Sequence, residues 1–156
     1  MACQLAVGRG ATVVGSAAPS RHEMLRGFGV VPVAYGDGLA DRVRDAAPGG
    51  VDVALDTVGT DEAVDVSLEL VADRSRIATI AAFGRAGEEG ILLLGNGPGA
   101  EPGTEIRNRA RLQLTELAAE GGLDVVVAAS FPLSQAAAAH RLVKDGHAGG
   151  KVVLVI

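Results

Sequence analysis

The chain has 156 residues, 48% of them hydrophobic, and a formal net charge of −5, so it is long enough for one domain with a buried core and too acidic for a general nucleic-acid partner, which needs a basic face against phosphates. Its one cysteine, Cys3, excludes an internal disulfide framework or cysteine zinc cluster and is expected as a small buried apolar side chain. No apolar run approaches the roughly 20 residues of a membrane span and residues 1–7 lack the basic region of a signal peptide, so a cytoplasmic setting with no membrane partner is expected.

Apolar residues alternate between a strand period and a helix period along the chain, the pattern of an α/β sheet with parallel strands. Residues 1–7 are a short apolar stretch closed by Gly8-Arg9-Gly10, readable as a helix and its stop or as a strand paired with residues 11–17 through that tight turn. Residues 11–17 are a β-branched run ending in small residues. Ser20-Arg-His-Glu23 fits a capping box for a helix with Met24, Leu25 and Phe28 on one face, stopped at Gly29. Asp37 is expected to cap a helix carrying Leu39, Val43, Ala46 and Ala47, closed by Pro48-Gly49-Gly50.

A strand over 51–56 leads to Thr60-Asp-Glu-Ala, a helix start with acids in its first turn, and Val64, Leu68 and Val71 recur at helical spacing. Residues 76–83 read as the next strand, followed by a Gly-rich turn and then the apolar run Ile91-Leu-Leu-Leu94. Residues 96–103 form the longest loop. A helix is expected from Thr104 or Glu105 to about Glu120, then a strand over 123–131, a helix over 134–145 and a strand over 151–156.

Fold-level chemistry follows from one position. In a doubly wound sheet, a carboxylate at the end of the second strand takes the ribose 2′-OH of NAD, whereas its absence together with a nearby Arg accommodates the 2′-phosphate of NADP. Here the run over 11–17 offers Gly15 and Ser16, with Arg21 four residues beyond its end. If a dinucleotide binds, NADP(H) is the expected form. A methyltransferase-like α/β domain is disfavoured by the same residues, since that fold wants an acid at this strand end.

Four stretches together resemble the C-terminal, nucleotide-binding half of a medium-chain dehydrogenase/reductase of the quinone oxidoreductase and zinc-binding dehydrogenase type. They are Val13-Val-Gly-Ser16 through Arg21, the approach from Gly29 to Tyr35, the strand-turn Asp52-Val-Ala-Leu-Asp-Thr-Val-Gly59, and the closing segment from Phe131-Pro-Leu-Ser through Gly-Gly-Lys151-Val-Val-Leu154. The resemblance implies a Rossmann-type doubly wound parallel sheet, N-terminally truncated. Residues 1–122 would be a partial NADP-binding domain, and residues 123–156 the segment that returns to the family's catalytic domain. The family's nucleotide domain opens with a strand and a Gly-rich turn that wraps the pyrophosphate against a helix N-terminus. No G-x-G-x-x-G stands near Met1. The chain is therefore expected to begin inside the following helix, with the edges of two neighbouring strands left unpaired and NADPH bound weakly or not at all.

Site residues follow from the resemblance, each beside a plainer reading. Ser16 and Arg21 would hold the adenosine 2′-phosphate, or form a surface cap and a solvated Arg. Tyr35 would flank the adenosine, or be a lone half-buried aromatic. The backbone of Thr57, Val58 and Gly59 would lie beside the nicotinamide, or form an ordinary turn where Gly permits a positive φ. Ala81, Ala82 and Phe83 would line the same crevice. Lys151 would reach the pyrophosphate, or be a surface Lys. His22, His140 and His147 match no ligand spacing, so no metal is expected in this chain, and no catalytic residue can be assigned. Ser130 and Ser134 lack a His or acid at diagnostic spacing for nucleophilic hydrolysis.

The resulting expectation is an NADP(H)-dependent oxidoreductase that moves hydride to or from a quinone, enone, ketone or alcohol, with this fragment contributing the cofactor pocket and a small-molecule substrate held in the full-length relative. The alternative is an inactive remnant or assembly unit without catalysis. A homodimer through Ile91-Leu-Leu-Leu94 as an edge strand is expected, because an uncharged apolar edge invites pairing; an unbroken apolar run equally suits a covered interior strand.

Overall fold

The computed structural model describes residues 1–146 and 148–156. Seven helices, α1 (Ala2–Val7), α2 (His22–Gly27), α3 (Leu39–Ala46), α4 (Asp61–Leu70), α5 (Phe83–Glu89), α6 (Thr104–Ala119) and α7 (Ala136–Lys144), alternate with seven strands among the described residues. The strands are β1 (Val14–Ser16), β2 (Val31–Val33), β3 (Ala54–Asp56), β4 (Ile77–Thr79), β5 (Leu92–Leu93), β6 (Val127–Pro132) and β7 (Lys151–Val155). Every pairing is parallel, in three sheets: β1 with β2, β3 with β4 and β5, and β6 with β7. This is the Rossmann-type α/β architecture. Among the described residues no ladder joins β1 to β3, so each of these strands keeps one unpaired edge.

The largest core lies around β3, β4 and β5. Val64 from α4 and Val71 just beyond its end meet Ile77, Ala82, Ala86, Ile91 and Leu93, with Val51, Ala54, Leu68 and Ala100 packed against them. The helical spacing of Val64, Leu68 and Val71 delivers these side chains to one face. Thr60 caps α4 by accepting the Ala63 N–H at 3.3 Å, as its Thr-Asp-Glu-Ala start predicts. Helices α3 and α4 are tied together by Arg44, which pairs with Glu69 and with Asp41; the Glu69 bond raises the Arg44 pKa further above its ordinary value. At the other end, the Gln4 side chain exchanges two hydrogen bonds with the backbone of Asp124, at 3.0 and 2.8 Å, docking α1 on the chain that leads into β6.

Several local expectations are corrected. The stretch at 1–7, readable as helix or strand, is not among them: it forms helix over Ala2–Val7. The capping box at Ser20 does not form: Pro19 has its φ preset for a helical turn and opens a 3₁₀ turn over Pro19–Arg21, so Ser20 is already inside the turn and Arg21 precedes α2. Asp37 does not cap α3; Gly38, at φ +80°, occupies that position without a side-chain bond. Phe83 does not end a strand, and the Gly-rich stretch after it is helix α5. Arg85 holds that helix in place against the low propensity of Gly84 and Gly87, bonding Asp61, Asp65 and Glu89 at 2.9, 2.7 and 2.9 Å. These three carboxylates raise the Arg85 pKa.

The apolar run at 91–94 alternates in and out. Ile91 and Leu93 are buried, while Leu92 faces outward. The outer edge of β5 is half covered, because Glu101 donates its N–H to the Leu93 carbonyl at 2.8 Å and its own carbonyl accepts from Gly95 N–H at 3.1 Å. The loop over 96–103 thus returns to blunt the strand it leaves.

Candidate functional site

The carboxyl ends of β3 and β4 form one construction. Asp56 and Thr79 face each other there at 5% and 0% exposure, paired in register across the two strands. Asp56 Oδ1 accepts the N–H groups of Val58 and Gly59, both at 2.9 Å, and Oδ2 accepts the Thr79 hydroxyl at 2.7 Å. The Thr79 Oγ1 in turn accepts the N–H groups of Ala81 and Ala82, at 3.1 and 2.9 Å. These bonds end both strands, turning each chain back toward its helix. Gly59, at φ +80°, presses so closely on the second turn that a Cβ there would lie 2.8 Å from the Ala81 carbonyl carbon. The sequence-predicted residues Thr57, Val58, Gly59, Ala81, Ala82 and Phe83 are thereby brought together, with the side chains of Val58 and Phe83 presented outward at 72% and 61% exposure.

Ser16 ends β1, with Ala17 N–H bonded to the Val33 carbonyl at 2.9 Å. Arg21 follows in the 3₁₀ turn, partly buried. Among the described residues its guanidinium has neither a hydrogen-bond nor a carboxylate partner; it lies against Gly149, where any side chain would collide with it. Lys151, at the start of β7, shares with Gly149 and Gly150 a cleft that Cys3, Met24 and Phe28 also line. The basic pair therefore belongs to the β1 and β7 side. Among the described residues no hydrogen bond or ion pair links Ser16, Arg21 or Lys151 to the turns after β3 and β4.

Tyr35 stands on the loop after β2 with its ring 61% exposed. Its loop is held from both sides. Arg42 donates from Nε to the Ala34 carbonyl at 2.9 Å, from Nη2 to Gly36 at 2.7 Å and from Nη1 to Asp37 at 2.8 Å, and the Glu62 carboxylate accepts Gly36 N–H at 3.1 Å. Of the histidines, His22 has its ring Nε2 3.1 Å from the Ala17 carbonyl, His140 belongs to α7, and His147 lies outside the described residues. Among the described residues no three His, Cys, Asp or Glu side chains converge on a possible metal position, and no helix is long and apolar enough to cross a membrane.

A family model described as zinc-binding dehydrogenase matches residues 28–154. The chain belongs to the zinc-binding dehydrogenase family. Among solved structures, this dehydrogenase domain is similar to an NAD-dependent alcohol dehydrogenase at 25% identity and a TM-score of 0.78, over 99% of this chain and 47% of the other. It is similar to the quinone oxidoreductase of Coxiella burnetii at 25% identity and 0.72, over 99% and 48%. A mycobacterial protein solved in complex with NADPH shares the fold at 24% identity and 0.73, over 99% and 52%. No curated protein matches by sequence. The dehydrogenase domain spans about half the length of the solved relatives it matches.

Sequence reasoning missed Asp56 and Thr79 as side chains, although Asp56-Thr-Val-Gly59 carries the signature of an Asx turn, in which a carboxylate binds the backbone two residues on. It also missed Arg42, Glu62 and Arg85. The Arg42 bonds leave no spacing rule to find, because they end on carbonyls of an irregular loop.

Proposed function

We propose that this chain supplies the cofactor wall of an NADP(H)-dependent oxidoreductase that transfers hydride to or from a quinone, enone, ketone or alcohol. The observation that carries the reading is the end of β1: an exposed Ser16, no carboxylate at that position, and an Arg21 guanidinium without an acidic partner among the described residues. The relatives divide, one described as NAD-dependent and another holding NADPH, so the residues of this chain have to choose. Ser16 and Arg21 suit a 2′-phosphate by hydroxyl and forked charge-assisted contacts. Tyr35 would lie at the adenosine end, Lys151 would meet the pyrophosphate, and the turns carrying Thr57, Val58, Gly59, Ala81, Ala82 and Phe83 would flank the nicotinamide at the carboxyl edge of the sheet, where open α/β folds take ligands. The bound dinucleotide supplies the hydride chemistry; the residues of this chain hold and orient it, and the wall that touches substrate comes from outside them.

The test is titration of this chain, joined to the half of the molecule that its solved relatives carry beyond it, with NADPH and NADH, before and after Arg21→Ala. A preference for NADPH that falls by about 10- to 100-fold on substitution is expected, the equivalent of ~1.5–3 kcal/mol for a hydrogen bond to a charged group. Equal affinity for the two cofactors in both proteins overturns the assignment.

A second reading, an assembly unit, is favoured by the open edges of β1 and β3 and by the exposure of Leu55 on β3. Self-association through β5 would use Leu92 and the groups Glu101 leaves open. Leu92→Lys should then shift a dimer toward monomer in sedimentation without loss of fold, whereas a wild-type chain already monomeric at high concentration removes the dimer.

A further inference from the structure

We infer that Asp56 and Thr79 are a positioning pair that binds the turn after β3 to the turn after β4, so that the two walls of the proposed nicotinamide crevice move as one body. The inference rests on the NADP(H) reading of that crevice and adds to it two residues that touch no ligand.

The hydrogen-bond accounting is complete and directional. A threonine hydroxyl has one O–H to give and room to accept two bonds. Thr79 gives its proton to Asp56 Oδ2 and accepts from Ala81 and Ala82. Asp56 spends its other oxygen on Val58 and Gly59. Four backbone N–H groups, two on each turn, therefore hang from one pair of side chains 23 positions apart in sequence. Ile80 N–H also reaches the Asp56 carbonyl, at 3.0 Å, closing the ladder beneath them.

If Thr79 served only to fill the core, valine of the same shape would replace it. The hydroxyl forbids it. Without the hydroxyl, Ala81 and Ala82 lose their acceptor and Asp56 Oδ2 loses its donor in a buried site, where unsatisfied groups are most costly. Asparagine at 56 fails for a related reason. Its amide would have to donate toward an Oγ1 that already accepts two bonds, and the threonine proton would have nowhere to go. Serine at 79 keeps every bond. The contact of Gly59 on Ala81 makes the consequence mechanical, since neither turn can shift without the other.

The experiment uses the 156-residue chain and two readouts: amide hydrogen exchange at Val58, Gly59, Ala81 and Ala82, and affinity for NADPH beside 2′,5′-ADP, which carries only the adenosine end. Thr79→Val should speed exchange about tenfold or more, not only at Ala81 and Ala82 but across the strands at Val58 and Gly59, as expected for a lost bond to a charged group. It should weaken NADPH by a similar factor and leave 2′,5′-ADP unchanged, and Thr79→Ser should keep wild-type values throughout. Unchanged exchange at Val58 and Gly59, equal weakening of both ligands, or failure of serine to preserve the wild-type values overturns the pair. If Thr79→Val does not fold, Asp56→Asn is read at Ala81 and Ala82 by the same criteria. If the wild-type chain takes up neither ligand, as expected without a Gly-rich turn to hold the pyrophosphate, exchange at the four amides alone decides the pair, and the NADP(H) reading is decided by the Arg21→Ala titration.

Discussion

The sheet of β3, β4 and β5 and the sheet of β6 and β7 divide regularity from burial. The first has strands of two or three residues, yet it owns the cluster from Val64 to Leu93. The second has the longest strands, paired over five positions with one irregularity near Val127, and leaves Val127, Val153, Leu154 and Val155 exposed. Helix α6, the longest in the chain, buries none of its residues and exposes Ile106 and Leu112. A well-formed ladder is thus no sign of a core. Backbone pairing satisfies N–H and C=O groups at a modest net gain, while apolar burial supplies most of the stabilisation, and here the two are concentrated in different regions.

Core truncation tests that division most strongly. Ile77→Ala, at a fully buried position, should cost about 2–5 kcal/mol in denaturant unfolding, whereas Val155→Ala on β7 should change stability by no more than about 0.5 kcal/mol. Similar costs at both positions would show that the C-terminal sheet carries more of the fold than its exposure implies.

Glycines give the next contrast, with opposite signs inside one region. Gly59→Ala places a Cβ against the Ala81 backbone at a positive φ, and should cost about 1–3 kcal/mol. Gly87→Ala, inside α5 with no atom within 4 Å of the added carbon, should stabilise by about 0.5–1 kcal/mol. Thermal midpoints moving in opposite directions would establish the turn after β3 as a point of close approach.

The smallest expected effect is a pH dependence. The Asp73 carboxyl is held below its ordinary pKa by the hydroxyl and N–H of Ser75. A depressed carboxylate contributes stability above its unfolded pKa, and that contribution is lost as pH falls through the depressed value. Asp73→Asn should therefore lower stability slightly at neutral pH and make no difference in strong acid, a gap that denaturant midpoints at the two pH values measure.

How much of this was legible in the sequence depends on how local the cause is. The periodicity of Val64, Leu68 and Val71 and the Thr60 cap act within one or two turns, and both were readable. Ser20-Arg-His-Glu23 misled because Pro19, one residue earlier, starts the turn first. Phe83 was read as strand because Ala81, Ala82 and Phe83 continue an apolar run; the bonds from Ala81 and Ala82 to Thr79 that end the strand involve a side chain the apolar pattern ignores. The Asp56–Thr79 bond and the reach of Arg85 to Asp61 and Asp65 cross 20 or more positions, beyond any spacing rule. The family resemblance pointed to the turns after β3 and β4 by their backbone, and the structure shows which side chains hold that backbone.

Tyr35 is the only tyrosine in a chain with no tryptophan, and its exposed ring rides on a loop that Arg42 and Glu62 hold fixed. Under ultraviolet excitation nearly all the emission of this protein therefore comes from one ring at one known place. No label need be introduced: a change in anisotropy on adding 2′,5′-ADP, which does not absorb the tyrosine emission, is a signal from the loop after β2, and the unsubstituted chain carries its own optical reporter for that corner of the molecule.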